Sequence, residues 1–382
     1  MTMTAGERWG WIEALLATER PLGVVCTGGG SQLIAWLHNH PGASRSMIEA
    51  TIPYHPKALA RYLGAPGPHR VRASTAVEMA CIAFRRLRDL LGDGVPTVGF
   101  GCTAALTTRR RRRGADRVAL ATRTAHDAAV FEVAFDKDVW EREQQEDLLS
   151  EVGMVALLQA CGVPSWQPKW PAGARIECRR LRLDDPLSLL YAEDLTAVEV
   201  DTDGSMDAVT ARSARLLLPG SFNPLHSGHE GLMAAAERVS NRSGAYELSV
   251  ENVDKPVLPR PELERRLRQF RGKRPVVVTR AATFSAKVRL FADCYFAIGY
   301  DTAVRLLMPA YYGGLEEMER AFQAMRAAGC RYAVAGRLHA GRYRSLEDLD
   351  PPVAYQDLFQ PVPETAFRCD LSSSELRARE QA

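Results

Sequence analysis

Two histidines three residues apart, His226 and His229, follow an apolar run that breaks at a glycine turn, in the segment Leu216-Leu217-Leu218-Pro219-Gly220-Ser221-Phe222-Asn223-Pro224-Leu225-His226-Ser227-Gly228-His229. The run reads as a strand, Pro-Gly as its end, and Glu230 to Glu237 as the helix that follows. A strand, a turn and a helix start make an anion site, because backbone N–H groups and the positive helix end point at whatever lies above the turn. Two imidazoles there add donors that can follow charge as it develops on a phosphate. The spacing therefore predicts phosphate chemistry. His226 and His229, with Arg377 near the other end of the chain, are the catalytic candidates, and Gly220, Ser221, Phe222 and Asn223 are the candidates for holding the phosphate-bearing ligand.

Three further segments could share that ligand. Asp370-Leu371-Ser372-Ser373-Ser374-Glu375-Leu376-Arg377 reads as a helix N-cap, and its hydroxyls and the Arg377 fork suit phosphate oxygens. Tyr295 to Gly299 reads as a buried strand, with Asp301 opening a helix where an acid can accept from ribose hydroxyls. The strand Tyr332 to Ala335 ends in Gly336-Arg337, and Arg337 is either a further phosphate or base contact or a surface arginine. Lys255, after the strand Tyr246 to Val250, and Lys287 are substrate-side candidates, with solvated surface charge as the alternative for each.

The residues GSFNPLHSGH resemble the HxGH nucleotidyltransferase superfamily, and most of all its nicotinamide or nicotinate mononucleotide adenylyltransferases. LSSSELR is similar to that family's ISSTxIR, with Ser374 in place of threonine, and Gly299-Tyr300-Asp301 is similar to its Gly-x-Asp segment. The resemblance implies transfer of an adenylyl group from ATP to a pyridine mononucleotide, with release of pyrophosphate. Mg²⁺ would travel on the phosphates of ATP, since no dedicated carboxylate cage is visible in the sequence. Transfer to another phosphorylated acceptor, and a nucleotide sensor without catalysis, stay open as alternatives.

Those segments need a frame to hold them. From Arg215 to the end, strand-like and helix-like runs alternate, which predicts a parallel sheet wrapped by helices. The first half also alternates, up to the breaker-rich stretch Val163 to Gly173. The expected division is residues 1–165, a connector over 166–212, and 213–382. The fold class is α/β: a C-terminal Rossmann-like nucleotidyltransferase domain with a parallel sheet, and an N-terminal α/β domain.

The N-terminal block resembles the nicotinamide-nucleotide amidases, the C-terminal domain of competence-damage-inducible proteins. Cys26-Thr27-Gly28-Gly29 matches the family's CTGG turn, Pro41-Gly42-Ala43-Ser44 its PGSS, and Ile52-Pro53-Tyr54 its strand ending in tyrosine. Gly99-Phe100-Gly101 falls near its glycine loop. The pattern also departs from the family. Val24-Val25 stands for Glu-Ser, Lys57 lies two positions from the expected lysine, and the PDGG stretch is missing. A serine nucleophile needs an adjacent base. The resemblance thus implies a degenerate amidase site of Ser44, Tyr54 and Lys57.

Composition bounds the rest. The 382 residues, 46% hydrophobic and 25% charged, are enough for two cores. A net charge of +3 does not suggest a nucleic-acid coat protein, and the run Arg109 to Arg113 has no interleaved aromatics, which points to a solvated loop. Eight scattered cysteines without a CxxC pair read as reduced core residues of a cytoplasmic protein rather than as a metal site. The start of the chain lacks a signal-peptide layout, and no apolar run approaches membrane-spanning length. The expected partners are small nucleotides, not membrane or nucleic acid. A homo-oligomer stays open.

Overall fold

The computed structural model describes residues 3–92, 94–109, 114–164, 169–208, 214–253, 255–339 and 342–369. The chain divides into two units, one of residues 1–63 and 68–195 and the other of residues 64–67 and 196–382.

The first unit is a six-stranded mixed sheet. Its strands are β1 (Leu22–Thr27), β2 (Met47–Thr51), β3 (Val98–Ala105), β4 (Asp116–Arg123), β5 (Asp127–Phe135) and β6 (Ala174–Arg182), in the order β2-β1-β3-β4-β5-β6. The pairs β1–β2 and β1–β3 are parallel, and the rest are antiparallel. Its helices are α1 (Ala5–Leu16), α2 (Ser31–His38), α3 (Pro56–Leu63), α4 (Ala73–Leu91), α5 (Arg142–Ala160) and α6 (Pro186–Tyr191). Strand β1 is buried on both faces. Val24 and Cys26 join the core made with α1, α2 and α5, whereas Val25 points to the one made with α3 and α4. That alternation follows from the two-residue period of a strand.

Gly99 and Gly101, expected in a glycine loop, lie instead inside β3. A Cβ on Gly99 would come within 2.6 Å of the Phe84 amide nitrogen, and one on Gly101 within 2.6 Å of that of Ala80. These glycines let the α4 backbone press onto the sheet. Their role is close packing rather than a turn.

The second unit is built on β7 (Ala197–Val200), β8 (Met206–Ala208), β9 (Leu216–Pro219), β10 (Gly244–Ser249), β11 (Val276–Thr279), β12 (Tyr295–Gly299), β13 (Arg331–Ala335), a small hairpin of β14 (Arg337–His339) and β15 (Arg342–Arg344), and β16 (Phe359–Val362). The sheet order is β16-β13-β12-β9-β10-β11-β7-β8. Counting only the six parallel strands in chain order, this is 6-5-4-1-2-3, the doubly wound Rossmann arrangement. Helices α7 (Ser227–Ser240), α8 (Arg260–Leu267), α9 (Phe284–Leu290), α10 (Tyr300–Leu306) and α11 (Leu315–Ala327) connect the strands. Leu217, Phe296 and Tyr332 point into the core shared with α9, α10 and α11.

The stretch expected as a connector is divided between the two units. β6 and α6 extend the first, while β7 and β8 add an antiparallel edge to the second sheet beside β11. No helix among the described residues is long and apolar enough to cross a membrane.

Candidate functional site

In a doubly wound sheet, ligands gather at the carboxyl ends of the strands where the winding reverses. Here that point lies between β9 and β12, neighbours in the sheet whose following helices are α7 and α10. His226 and His229 follow β9, and Gly299 and Asp301 follow β12, so the fold brings two of the predicted segments to one sheet edge.

The turn from β9 to α7 is built tightly. The Gly220 amide donates to the Glu247 carbonyl at 3.0 Å, extending the ladder by one residue. Phe222 then adopts a left-handed backbone (φ 45°). Its ring is buried and meets Tyr246 and Phe270 edge-on at 5.1 and 5.2 Å, and His229 at 5.0 Å. A Cβ on Gly220 would lie 2.7 Å from that ring, which explains the glycine. Phe222, expected as a nucleotide contact, is thus the apolar post under the turn. Only its backbone could reach a ligand.

Three side chains from one stretch of chain hold the turn from outside. Gln269 donates to the Phe222 carbonyl at 3.0 Å and accepts from the Leu225 amide at 2.8 Å. Arg266 donates to the Ser221 carbonyl at 2.9 Å, and Arg265 to the Asn223 side-chain oxygen. Glu262 binds both arginines, which draw its carboxyl down to about 2. Sequence reasoning missed Gln269, since nothing in its neighbourhood signals a contact with a turn more than forty residues away.

His226 caps α7 with an extended backbone (φ −143°, ψ 169°), and its amide donates to His229 Nδ1 at 3.3 Å. A neutral imidazole that accepts at Nδ1 carries its proton on Nε2. Burial, then the neighbouring His226, pushes His229 down to about 4 against the opposing pull of Glu230. Burial also lowers His226, again opposed by Glu230. The two rings lie 3.8 Å apart, centre to centre. At neutral pH His229 is therefore an uncharged hydrogen-bond donor through Nε2.

The other predicted residues fall out differently. Asp301, in the first turn of α10, forms an ion pair with Arg337 of β14, so two expected contacts meet each other. Ser221 and Lys255 are exposed, and Lys255 lies in the loop after β10. Lys287 is the correction. Its ammonium sits 2.7 Å from Glu247 Oε2 and donates to Glu247 Oε1 and to the Ala281 carbonyl at 2.8 and 2.7 Å, with its side chain 7% exposed. Its charge neutralises a buried strand carboxylate and does not face a substrate phosphate. Ser372, Ser373, Ser374 and Arg377 lie outside the described residues, as do Arg110 to Arg113 of the arginine run. The chain leading to the serines does reach α7. The Ala366 carbonyl accepts from Arg238 at 3.2 Å. A Cβ on Gly231 would meet the Phe367 ring at 2.9 Å, and one on Gly228 would meet the Cys369 sulfur at 2.8 Å and the His226 ring at 3.0 Å.

The first unit has a cavity of about 430 Å³ at the Cys26-Thr27-Gly28-Gly29 turn. Tyr54 lines it, but Ser44 and Lys57 are not among its lining residues, and both are exposed. Sequence reasoning missed Glu146 of α5. Its carboxylate accepts from the Gly30 and Gln32 amides at 2.9 and 3.2 Å and from the Ser31 hydroxyl at 3.2 Å, capping α2. Among the described residues, no group of three or more His, Cys, Asp or Glu side chains could hold a metal ion.

No protein-family model and no curated protein matches the chain. Solved structures similar to it include a competence or damage-inducible protein from Enterobacter asburiae (15% identity, 42% of this chain and 98% of that one, TM-score 0.33). A competence-damaged protein (CinA) superfamily protein from Enterobacter cloacae is similar at 16% identity, covering 42% of this chain and 92% of that one, with a TM-score of 0.31. The competence/damage inducible protein CihA from Agrobacterium tumefaciens is similar at 16% identity over 42% and 99% of the two chains, with a TM-score of 0.30.

Proposed function

We propose that the second unit joins ATP to nicotinamide or nicotinate mononucleotide, forming a dinucleotide and pyrophosphate. An oxygen of the mononucleotide phosphate attacks the α-phosphorus of ATP in line. The bond to the bridging oxygen breaks, and pyrophosphate leaves with the Mg²⁺ that the triphosphate carries. Nucleophile and leaving group need little proton transfer, so the protein's task is to position the two nucleotides and offset charge. In this reading the α7 N-terminus and the imidazoles of His226 and His229 hold the triphosphate. Ser372, Ser373, Ser374 and Arg377 contribute hydroxyls and a guanidinium for the same phosphates, and Gly299, Asp301 and Arg337 meet the nucleoside.

The observation that carries the reading is the His226 amide held by His229 Nδ1 at the reversal of the sheet. It leaves the donor face of His229 for a ligand. The approach of Phe367 and Cys369 to Gly231 and Gly228 supports it further, since the serine segment follows within three residues.

The test is pyrophosphate release from MgATP with a panel of mononucleotides. Turnover is expected with a pyridine mononucleotide, and loss of one imidazole donor in His226→Ala or His229→Ala should lower kcat by about 10²–10³. Turnover with a different phosphorylated acceptor would keep the chemistry and change the substrate. Tight nucleotide binding without any turnover would leave a sensor and overturn the enzyme.

For the first unit, the separation of exposed Ser44 and Lys57 from the cavity that Tyr54 lines supports a binding domain without amide hydrolysis.

A further inference from the structure

We infer that Cys26 and Cys102 close into a reversible disulfide when a peroxide enters the first unit, which makes the pair a redox-sensitive switch. The two residues are partners in the parallel register of β1 and β3, and both belong to the core made with α1, α2 and α5. Neighbouring strands lie about 4.7–4.9 Å apart, inside the Cα separation of about 4.4–6.8 Å that a disulfide spans. The sulfurs also converge. A Cβ on Gly30 would lie 3.1 Å from Cys102 Sγ and 3.3 Å from Cys26 Sγ, so both crowd one point under the start of α2. Gly30 has a left-handed φ of 90° there, and a larger residue would displace the sulfurs. A bridge between facing positions of parallel strands is strained, and a strained bridge is the readily reduced kind.

Access sets the order of reaction. Cys26 is buried but lines the cavity, whose volume of about 430 Å³ admits a small peroxide. Cys102 is fully buried, is not among the lining residues, and donates to the Gly29 carbonyl at 3.7 Å. The Cys26 thiol beside it, and then burial, push the Cys102 thiol up, so Cys102 stays protonated until Cys26 has reacted. The Cys26 sulfur attacks one peroxide oxygen, the O–O bond breaks, and the thiol proton leaves with the other oxygen as water. The Cys102 sulfur then attacks the sulfenic sulfur, the S–O bond breaks, and its proton leaves with that hydroxyl as a second water. Two thiols are oxidised and one peroxide is reduced. The bridge takes the Cys102 S–H from the Gly29 carbonyl, so the glycine turn registers the change. Cys294 and Cys330 of the second unit differ. They precede Tyr295 and Arg331, partners in β12 and β13, yet each sulfur donates to a carbonyl of its own, Ala292 or Phe291, at 3.3 Å. Neither lines this cavity.

This is independent of the chemistry proposed for the second unit. The test uses the full chain with Cys178→Ser and Cys369→Ser, which remove the two cysteines that are not buried. It is treated with hydrogen peroxide while native, alkylated in denaturant and mapped by mass spectrometry. Cys26 and Cys102 are expected in one linked pair of peptides that dithiothreitol separates, with the four remaining cysteines alkylated. In Cys102→Ser, dimedone should trap a sulfenic acid at Cys26, whereas Cys26→Ser should leave Cys102 a free thiol. Phenylarsine oxide, which spans two neighbouring thiols, should shield the same pair in the unsubstituted chain, so one arm needs no variant to fold. Four results would overturn the inference. They are alkylation of both cysteines after peroxide, linkage of Cys294 to Cys330 at an equal or greater rate, Cys26 carried to sulfinic acid beside a free Cys102, and no shielding by the arsenical.

Discussion

Replacing Lys287 with methionine separates its two readings, as a phosphate ligand and as a buried counter-ion. Glu247 has a side chain only 1% exposed and is held by Lys287 at 2.7 Å and by the Thr279 hydroxyl at 2.6 Å. Removing the lysine leaves a buried carboxylate with a single neutral donor. Breaking one side of such a pair is destabilising by about 3–5 kcal/mol, because the remaining charge keeps its desolvation penalty without its partner. With a urea dependence of about 2 kcal/mol per M, the unfolding midpoint of the second unit should fall by roughly 1.5–2.5 M. The chain has two units, so the assay must resolve two transitions, and only one should move. The double variant Glu247→Leu with Lys287→Met removes both charges and should recover most of the loss, since apolar replacement of a whole pair is often neutral or better. A Lys287→Met protein with an unchanged midpoint but a tenfold higher KM for the mononucleotide would refute the counter-ion argument and restore the substrate role.

Gln269→Leu should lower kcat by about 10² with little change in global stability, since it frees both ends of the Phe222–Leu225 turn and lets His226 shift by an ångström or so; Gln269→Glu should recover less than Gln269→Asn, because a carboxylate cannot donate to the Phe222 carbonyl. Acid titration should show His229 in the stability curve. The unfolded imidazole takes up its proton near 6.5 and the folded one only near 4, so its contribution is whole above pH 6.5 and is lost as the pH falls to about 4. Relative to His229→Asn, the native chain should lose up to about 3 kcal/mol across that window in urea unfolding, and a flat difference would count against the burial described. Gly220→Ala should cost about 1–3 kcal/mol by driving its methyl into the Phe222 ring, measurable as a lower melting temperature.

Much of the second unit is legible before any coordinates. The predicted strands Tyr246 to Val250, Tyr295 to Gly299 and Tyr332 to Ala335 agree within a residue or two with β10, β12 and β13. The runs at β12 and β13 are apolar, the form a doubly buried parallel strand takes, whereas the one at β10 is interrupted by Glu247 and Ser249. The edges are harder. β16, with Gln360 and Pro361 exposed in its middle, lacks such a run, and β7 pairs with β11 rather than with β9, which follows it and β8 in the chain, a choice that sequence proximity does not suggest. Side-chain partnerships were the least readable of all. Lys287 and Glu247 are forty residues apart, Gln269 and Leu225 forty-four, and Glu146 and Gly30 more than a hundred. Residue type alone leaves a lysine on the helix that follows a strand equally free to meet a phosphate or a carboxylate, and only the fold decides between them.

The two units use one local device to opposite ends. In each, a buried strand runs into a glycine-bearing turn and a helix whose first amides form a positive pole. At α7 the cap comes from the turn itself, as His226, and the reply comes from His229 within the same helix. Both imidazoles are held uncharged by burial, so the pole keeps its sign and gains a donor. At α2 the cap comes from α5, as a carboxylate that takes the amides of Gly30 and Gln32. The pole is cancelled there, and the nearby Glu143 adds further negative charge. A polyanion should therefore discriminate between the two helix starts by sign alone. Exchanging the capping chemistry, by Glu146→Ala in one unit and His229→Glu in the other, should open the first site to phosphate and close the second. Calorimetric titration with pyrophosphate reads both changes in one experiment, and pyrophosphate that bound wild-type α2 as well as α7 would show that the caps do not set the preference.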